Sequence, residues 1–147
     1  MPVRKADDEL VVYWDASAVV AALSRDRHHA EASRWYDLAG VHLLSSLAFA
    51  EAMAALARLE RNDVLASVLA ETARATLSRE GPWRHTHSSP DWSKVTELAT
   101  RWPLRGTDLW HLATAATLHD DLPTLQLLTF DSRMAEAADA IGLGARS

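Results

Sequence analysis

The chain has 147 residues, 48% of them hydrophobic and 24% charged, a length and balance that suit one soluble domain with a real core. It has no cysteine, which excludes disulfides and thiolate metal sites, and its formal net charge is −5. Asp15, Glu51 or arginines break every apolar run before bilayer length, and "MPVRKADDEL" lacks the apolar centre of a secretion signal, so no membrane span and a cytoplasmic location are expected.

In chain order, Leu10–Trp14 predicts a strand, since Val, Tyr and Trp favour a pleated, buried surface. Ser17–Leu23 predicts a short helix and His28–Leu38 a second. Val41–Ser45, after Gly40, predicts a buried strand. Leu47–Leu59 predicts a strong helix and Asp63–Ser78 another, stopped by Gly81-Pro82. Trp83–His87 alternates like an edge strand. Pro90-Asp91 opens a helix to about Arg101, and Thr107–His119 is a further helix with Thr107 in a capping position. Leu125–Phe130 predicts a strand. Ser132–Ile141 predicts a helix ended by Gly142, with at most a short strand after it. Strands separated by helices pair in parallel, because parallel neighbours need crossovers. The fold class is therefore α/β: one domain over residues 1–147, with a short parallel sheet covered by helices on both faces. In such folds functional groups gather beyond the carboxyl ends of the strands.

Acids follow two of these strands directly: Asp15 and Asp131. Asp108 opens the helix over Thr107–His119. Each has an ordinary structural explanation as a helix cap or a first-turn acid favoured by the helix dipole. Glu51 resists one. It is the lone acid among ten apolar residues in "LAFAEAMAALA", a helix apolar on all sides and so expected to be buried. A carboxylate there must be paired, protonated or bound to a cation. Four acids converging on one edge repel unless a cation lies among them, and oxygen donors select the hard ions Mg²⁺ or Mn²⁺. The net charge alone speaks against a nucleic-acid partner. Without these four carboxylates, however, the remainder is close to neutral, and bound dications would offset the cluster further.

Four segments, "YWDASAVVAAL", "SSLAFAEAMAAL", "LRGTDLWHLATAA" and "LLTFDSRMAEAADAIGL", carry a resemblance to PIN-domain ribonucleases, above all the VapC-type toxins of bacterial toxin–antitoxin pairs. Each motif is weak alone; four in order across nearly the whole chain are specific. The resemblance implies a three-layer α/β/α fold, a metal-dependent endoribonuclease, a homodimer and a cognate antitoxin that blocks the site. It implies an acidic site of Asp15, Glu51, Asp108 and Asp131. Asp15 and Asp108 are expected as core ligands of Mg²⁺ or Mn²⁺, with Glu51 and Asp131 as a second ligand set or as groups orienting ligands and water. Ser17 and Thr129 match small hydroxyl positions beside the acids, and Ser132 adds a hydroxyl near Asp131. Trp14 is a bulky departure beside Asp15, and the chain leaves little length for a final edge strand.

RNA contacts are expected from Arg105, Arg133 and Arg25, whose guanidinium forks suit phosphates. Of the six tryptophans, most are expected in the core or in dimer contacts rather than stacking on bases. His85 and His87 would share one strand face, but two ligands without a third make a weak metal site, and a surface placement is expected. His111, one turn after Asp108, is expected to make a structural hydrogen bond. Two other functions compete. A phosphoacceptor receiver domain needs a late lysine, and the last one here is Lys94. A catalytically inactive PIN-like RNA- or protein-binding module has no need of all four acids.

Overall fold

The computed structural model describes residues 9–145. Strands β1 (Val11–Trp14), β2 (Val41–Ser45), β3 (Trp83–Thr86) and β4 (Leu125–Leu128) form one sheet in the order β3-β2-β1-β4, with every neighbouring pair parallel. The helices are α1 (Ala16–Leu23), α2 (His29–Tyr36), α3 (Ser46–Arg61), α4 (Ser67–Ala75), α5 (Trp92–Arg101), α6 (Gly106–His119) and α7 (Ser132–Ala140).

β1 explains the layering. All four of its residues are buried, and their side chains alternate between faces. Val12 and Trp14 join an apolar layer with Ala18, Val19, Trp35, Leu44, Ala52 and Leu56, from α1, α2, β2 and α3. Val11 and Tyr13 join the opposite layer with Leu98, Leu112, Leu127 and Met134, from α5, α6, β4 and α7. A sheet covered on both faces needs strands that are apolar throughout, as β1 is. Trp14 has a clear task here. It is wholly buried, donates its indole N–H to His42 Nδ1 at 2.9 Å, and meets Trp83 edge-on with ring centroids 5.3 Å apart. It thus ties the central strand to both strands on one side. His42 answers with Nε2–H donated to the Leu38 carbonyl at 2.8 Å.

Gly40 sets the entry to β2. Its φ of +145° and the 2.5 Å between a notional Cβ and the Leu10 carbonyl oxygen leave room for glycine alone. That close approach lets Val41 N–H reach the same carbonyl at 2.8 Å.

Several elements differ from expectation. The helix expected over Asp63–Ser78 starts only at Ser67, because Asp63 takes a left-handed φ of 56° at the end of α3. α4 then runs into a π turn over Thr76–Glu80, closed by Gly81 N–H on the Thr76 carbonyl at 2.8 Å. α3 is not buried all round: Ala48, Ala52 and Leu56 face the core while Ala50 and Ala54 are exposed. Alanine favours helix strongly and loses little in water, so an alanine-rich run does not require burial. β3 stops at Thr86, so His87 lies outside it, and His85 instead donates to the Leu77 carbonyl at 3.2 Å. β4 stops at Leu128, leaving Thr129 and Phe130 in the loop beyond. Among the described residues, α7 is followed by one parallel bridge, Leu127 to Gly144, and by no further strand. Among the described residues no helix is long and apolar enough to cross a membrane.

Candidate active site

Parallel strands put all their carboxyl ends on one edge, and β1 lies between β2 and β4. Trp14 is in register with Leu128, and Asp15 N–H donates to the Leu128 carbonyl at 3.1 Å. Asp15 therefore comes level with Thr129. It is also the N-cap of α1: Oδ1 accepts the Ala18 N–H at 2.9 Å and the Ser17 hydroxyl at 2.7 Å, while Oδ2 accepts the Thr129 hydroxyl at 2.5 Å. Each carboxylate oxygen has two lone pairs. Oδ1 has both engaged, and Oδ2 keeps one for a ligand. Only 3% of Asp15 is exposed. Burial raises its pKa, and the three donors and the nearby His111 offset that only in part.

The two hydroxyls do more than hold Asp15. Thr129 Oγ1 accepts the Asp131 N–H at 3.1 Å, and Ser17 Oγ accepts the Phe130 N–H at 3.0 Å. The end of β1 is thereby knotted to the loop after β4. The His28 ring stacks on Phe130, with centroids 4.5 Å apart, and pins the start of α2 to the same loop.

Asp131 caps α7 through its Oδ1, which accepts the Met134 N–H at 2.9 Å. Asp108 sits in the first turn of α6, half-buried. Its pKa is raised, first by burial, then by the charge of Asp131 with Glu51 adding to it, while His111 and Arg105 oppose the rise. Glu51 reaches the edge from α3, and its Oε1 accepts from His111 Nε2 at 2.7 Å. His111 is 2% exposed, and its Nδ1 lies 2.9 Å from the Tyr13 hydroxyl. Burial lifts the Tyr13 phenol above its ordinary value of about 10, which keeps it protonated at neutral pH.

Of the residues singled out in the sequence, Asp108, Asp131, Ser132, Arg105 and Arg133 line one cleft of about 280 Å³ with Pro103 and Leu104. Asp15, Ser17 and Thr129 form the adjoining knot, and Glu51 enters through His111. Arg25 is elsewhere. It lines two other clefts, with Val64, Leu65 and Leu69 and with His29 and Tyr36. Sequence reasoning gave His111 a bond but not its partners, and overlooked Tyr13. The alternation of β1 was the available signal, because it turns Tyr13 away from Trp14 and toward α6.

The donor chemistry fits a hard dication. Its oxygens are carboxylate and hydroxyl, and a cation would relieve the repulsion that Asp131 and Glu51 exert on Asp108. Among the described residues, no three Asp, Glu or His side chains are gathered closely enough to form a closed cage for an ion. Asp108 and Asp131 instead line an open cleft, with Asp15 in the adjoining knot.

The PIN domain family model matches residues 12–140. Ribonuclease VapC45 and Ribonuclease VapC49, from two strains of Mycobacterium tuberculosis, are each 36% identical to this chain over 136 residues, covering 90% of it and 92% of the relative. Among solved structures, Mycobacterium tuberculosis VapC20, a sarcin–ricin-loop-cleaving toxin, aligns with a TM-score of 0.58 at 20% identity, over 92% of this chain and 99% of its own. PAE2754 from Pyrobaculum aerophilum aligns with a TM-score of 0.57 at 17% identity, over 87% and 79%. At such identities the structures speak for the fold, and the two ribonucleases speak for the lineage. Sheet order, acidic edge and sequence match agree: the chain belongs to the PIN-domain family.

Proposed function

We propose that this protein is an endoribonuclease that uses Mg²⁺ or Mn²⁺, and the toxin of a type II toxin–antitoxin pair. One observation carries the proposal. A chain 36% identical to two ribonucleases over 90% of its length brings Asp15, Glu51, Asp108 and Asp131 to one sheet edge. When bound, the dication would lower the pKa of a water molecule and screen the phosphate.

The chain's own residues supply the rest. Asp15 offers the remaining lone pair of Oδ2, and Asp108 offers a carboxylate already strained by its acidic neighbours. Asp131 and Glu51 complete the ligand set or orient the attacking water. Arg105 and Arg133, in the cleft with Asp108 and Asp131, hold the phosphodiester by charge-assisted hydrogen bonds. Water attacks phosphorus and the 3′ oxygen leaves, giving 5′-phosphate and 3′-hydroxyl ends. A cognate antitoxin that covers this edge, a homodimeric state, a single domain over the whole chain and a cytoplasmic location belong to the same proposal.

The test is cleavage of total RNA with Mg²⁺ or Mn²⁺. Loss of a ligand that steadies transition-state charge should lower the rate by about a hundredfold or more in Asp15→Asn. Equal rates for Asp15→Asn and the parent would refute the proposal.

A further inference from the structure

Glu51 differs from the three aspartates in how it arrives. The aspartates stand at strand ends or in first turns, where the backbone fixes their short side chains. Glu51 projects from the second turn of α3, a helix with one face in water, through a side chain with three rotatable bonds. Such a group needs something to hold it.

His111 is that something. A carboxylate only accepts hydrogen bonds, so the 2.7 Å contact requires the hydrogen on His111 Nε2. In the neutral imidazole, Nδ1 is then an acceptor, and its 2.9 Å partner, the Tyr13 hydroxyl, must donate. In that neutral state the chain runs with one polarity, from Tyr13 O–H through His111 to Glu51. Its members come from β1, α6 and α3, the central strand and one helix on each face of the sheet. Tyr13 is 0% and His111 2% exposed, so bulk water does not compete with the inner bonds. A leucine would suit the position of His111 in an apolar layer beside Leu112, Ala113 and Ala115. The imidazole's hydrogen-bond partners are Tyr13 and Glu51. With Oε1 engaged, Oε2 is the oxygen left for the cleft.

We propose that Tyr13 and His111 are positioning residues. They select which oxygen of Glu51 faces the dication, and so set the affinity of the site for it. This rests on the metal-dependent activity proposed above. Neither residue touches substrate; both act through Glu51.

The experiment measures Mn²⁺ affinity of the full-length protein from the free-ion electron paramagnetic resonance signal, with thermal melting alongside. Partners that orient a ligand are worth about 10–100-fold in metal affinity, so His111→Leu should weaken Mn²⁺ by at least tenfold. His111→Gln, which carries an amide N–H of similar reach, should recover most of that loss. Tyr13→Phe frees the imidazole to adopt either tautomer and should show a smaller loss. In a Glu51→Gln background the same three substitutions should shift affinity less than twofold, since residues that act through a third lose their effect when it is gone. Undiminished affinity in His111→Leu, no recovery in His111→Gln, or equal losses without Glu51 would each overturn the proposal. If His111→Leu does not fold, Tyr13→Phe and His111→Gln in the two backgrounds decide it alone. A parent that binds no Mn²⁺ removes the metal-dependent activity and this proposal together. A parent that binds it while indifferent to these substitutions removes the positioning role only.

Discussion

Asp15 carries a charge where burial disfavours one. Its three donors stabilise the carboxylate, but burial outweighs them and the folded-state pKa stands above the ordinary Asp value of about 4. The sign follows from proton linkage. Between the ordinary and the raised value the folded protein holds the extra proton, so stability is full below about pH 4 and falls as pH rises through the folded value. Asp108 shifts the same way, though solvent screens its larger exposed part. In EDTA, the melting temperature of Asp15→Asn at pH 7 should exceed that of the parent, with a weaker decline above pH 4. Added Mn²⁺ should stabilise the parent more at pH 7 than at pH 5. Calorimetry over pH 4–8 decides this, and a parent whose melting temperature climbs with pH through that range would contradict the assignment. Asp15, Asp108 and Asp131 were legible in the sequence because each follows a strand or opens a helix, and Glu51 because it is the lone acid in an apolar run. The partners of His111 were not, since Glu51 lies 60 residues away and Tyr13 98, distances no local pattern encodes.

The N-termini of α1 and α7 use the same residues for capping and for the proposed chemistry. Asp131 satisfies the Met134 N–H while its charge acts on Asp108. The two tasks come apart by substitution. Asp131→Ala loses the cap and should cost about 1 kcal/mol, whereas Asp131→Ser keeps a capping oxygen and should fold nearly as stably. Both should lose RNA cleavage, because both lose the carboxylate. Denaturant melts paired with cleavage rates test this, and full activity in Asp131→Ser would exclude a role for the charge. The strands were legible because β-branched and aromatic runs bounded by helical segments have few other fates. The extent of α4 was not, because it turns on the left-handed φ of Asp63 and on a π turn closed through Gly81. α3 misled for a different reason: a run of alanines reads as buried, yet it is stable half in water.

The whole molecule is acidic, at −5, so any hold on RNA must be local. Arg105 and Arg133 supply positive charge beside Asp108 and Asp131. Each that meets a phosphate should contribute about 0.7 to the slope of log affinity against log salt. Arg105→Ala and Arg133→Ala, made on an Asp15→Asn protein to silence cleavage, should each flatten the slope by about that much. Arg25→Ala should leave it unchanged, since Arg25 lines other clefts. An unaltered slope in all three would place the RNA elsewhere. The bond from Thr129 to Asp15 closes a span of 114 residues. Contacts so distant in sequence are slow to form, because the intervening chain must be ordered first. Metal affinity should therefore emerge in the last phase of refolding, together with the docking of β4. During synthesis, Asp15, Glu51 and Asp108 all exist before residue 129 does, so Asp15 has its local donors on Oδ1 while Oδ2 still lacks the Thr129 hydroxyl. The acidic edge is therefore assembled only once the loop after β4 has been made, however early its first members appear.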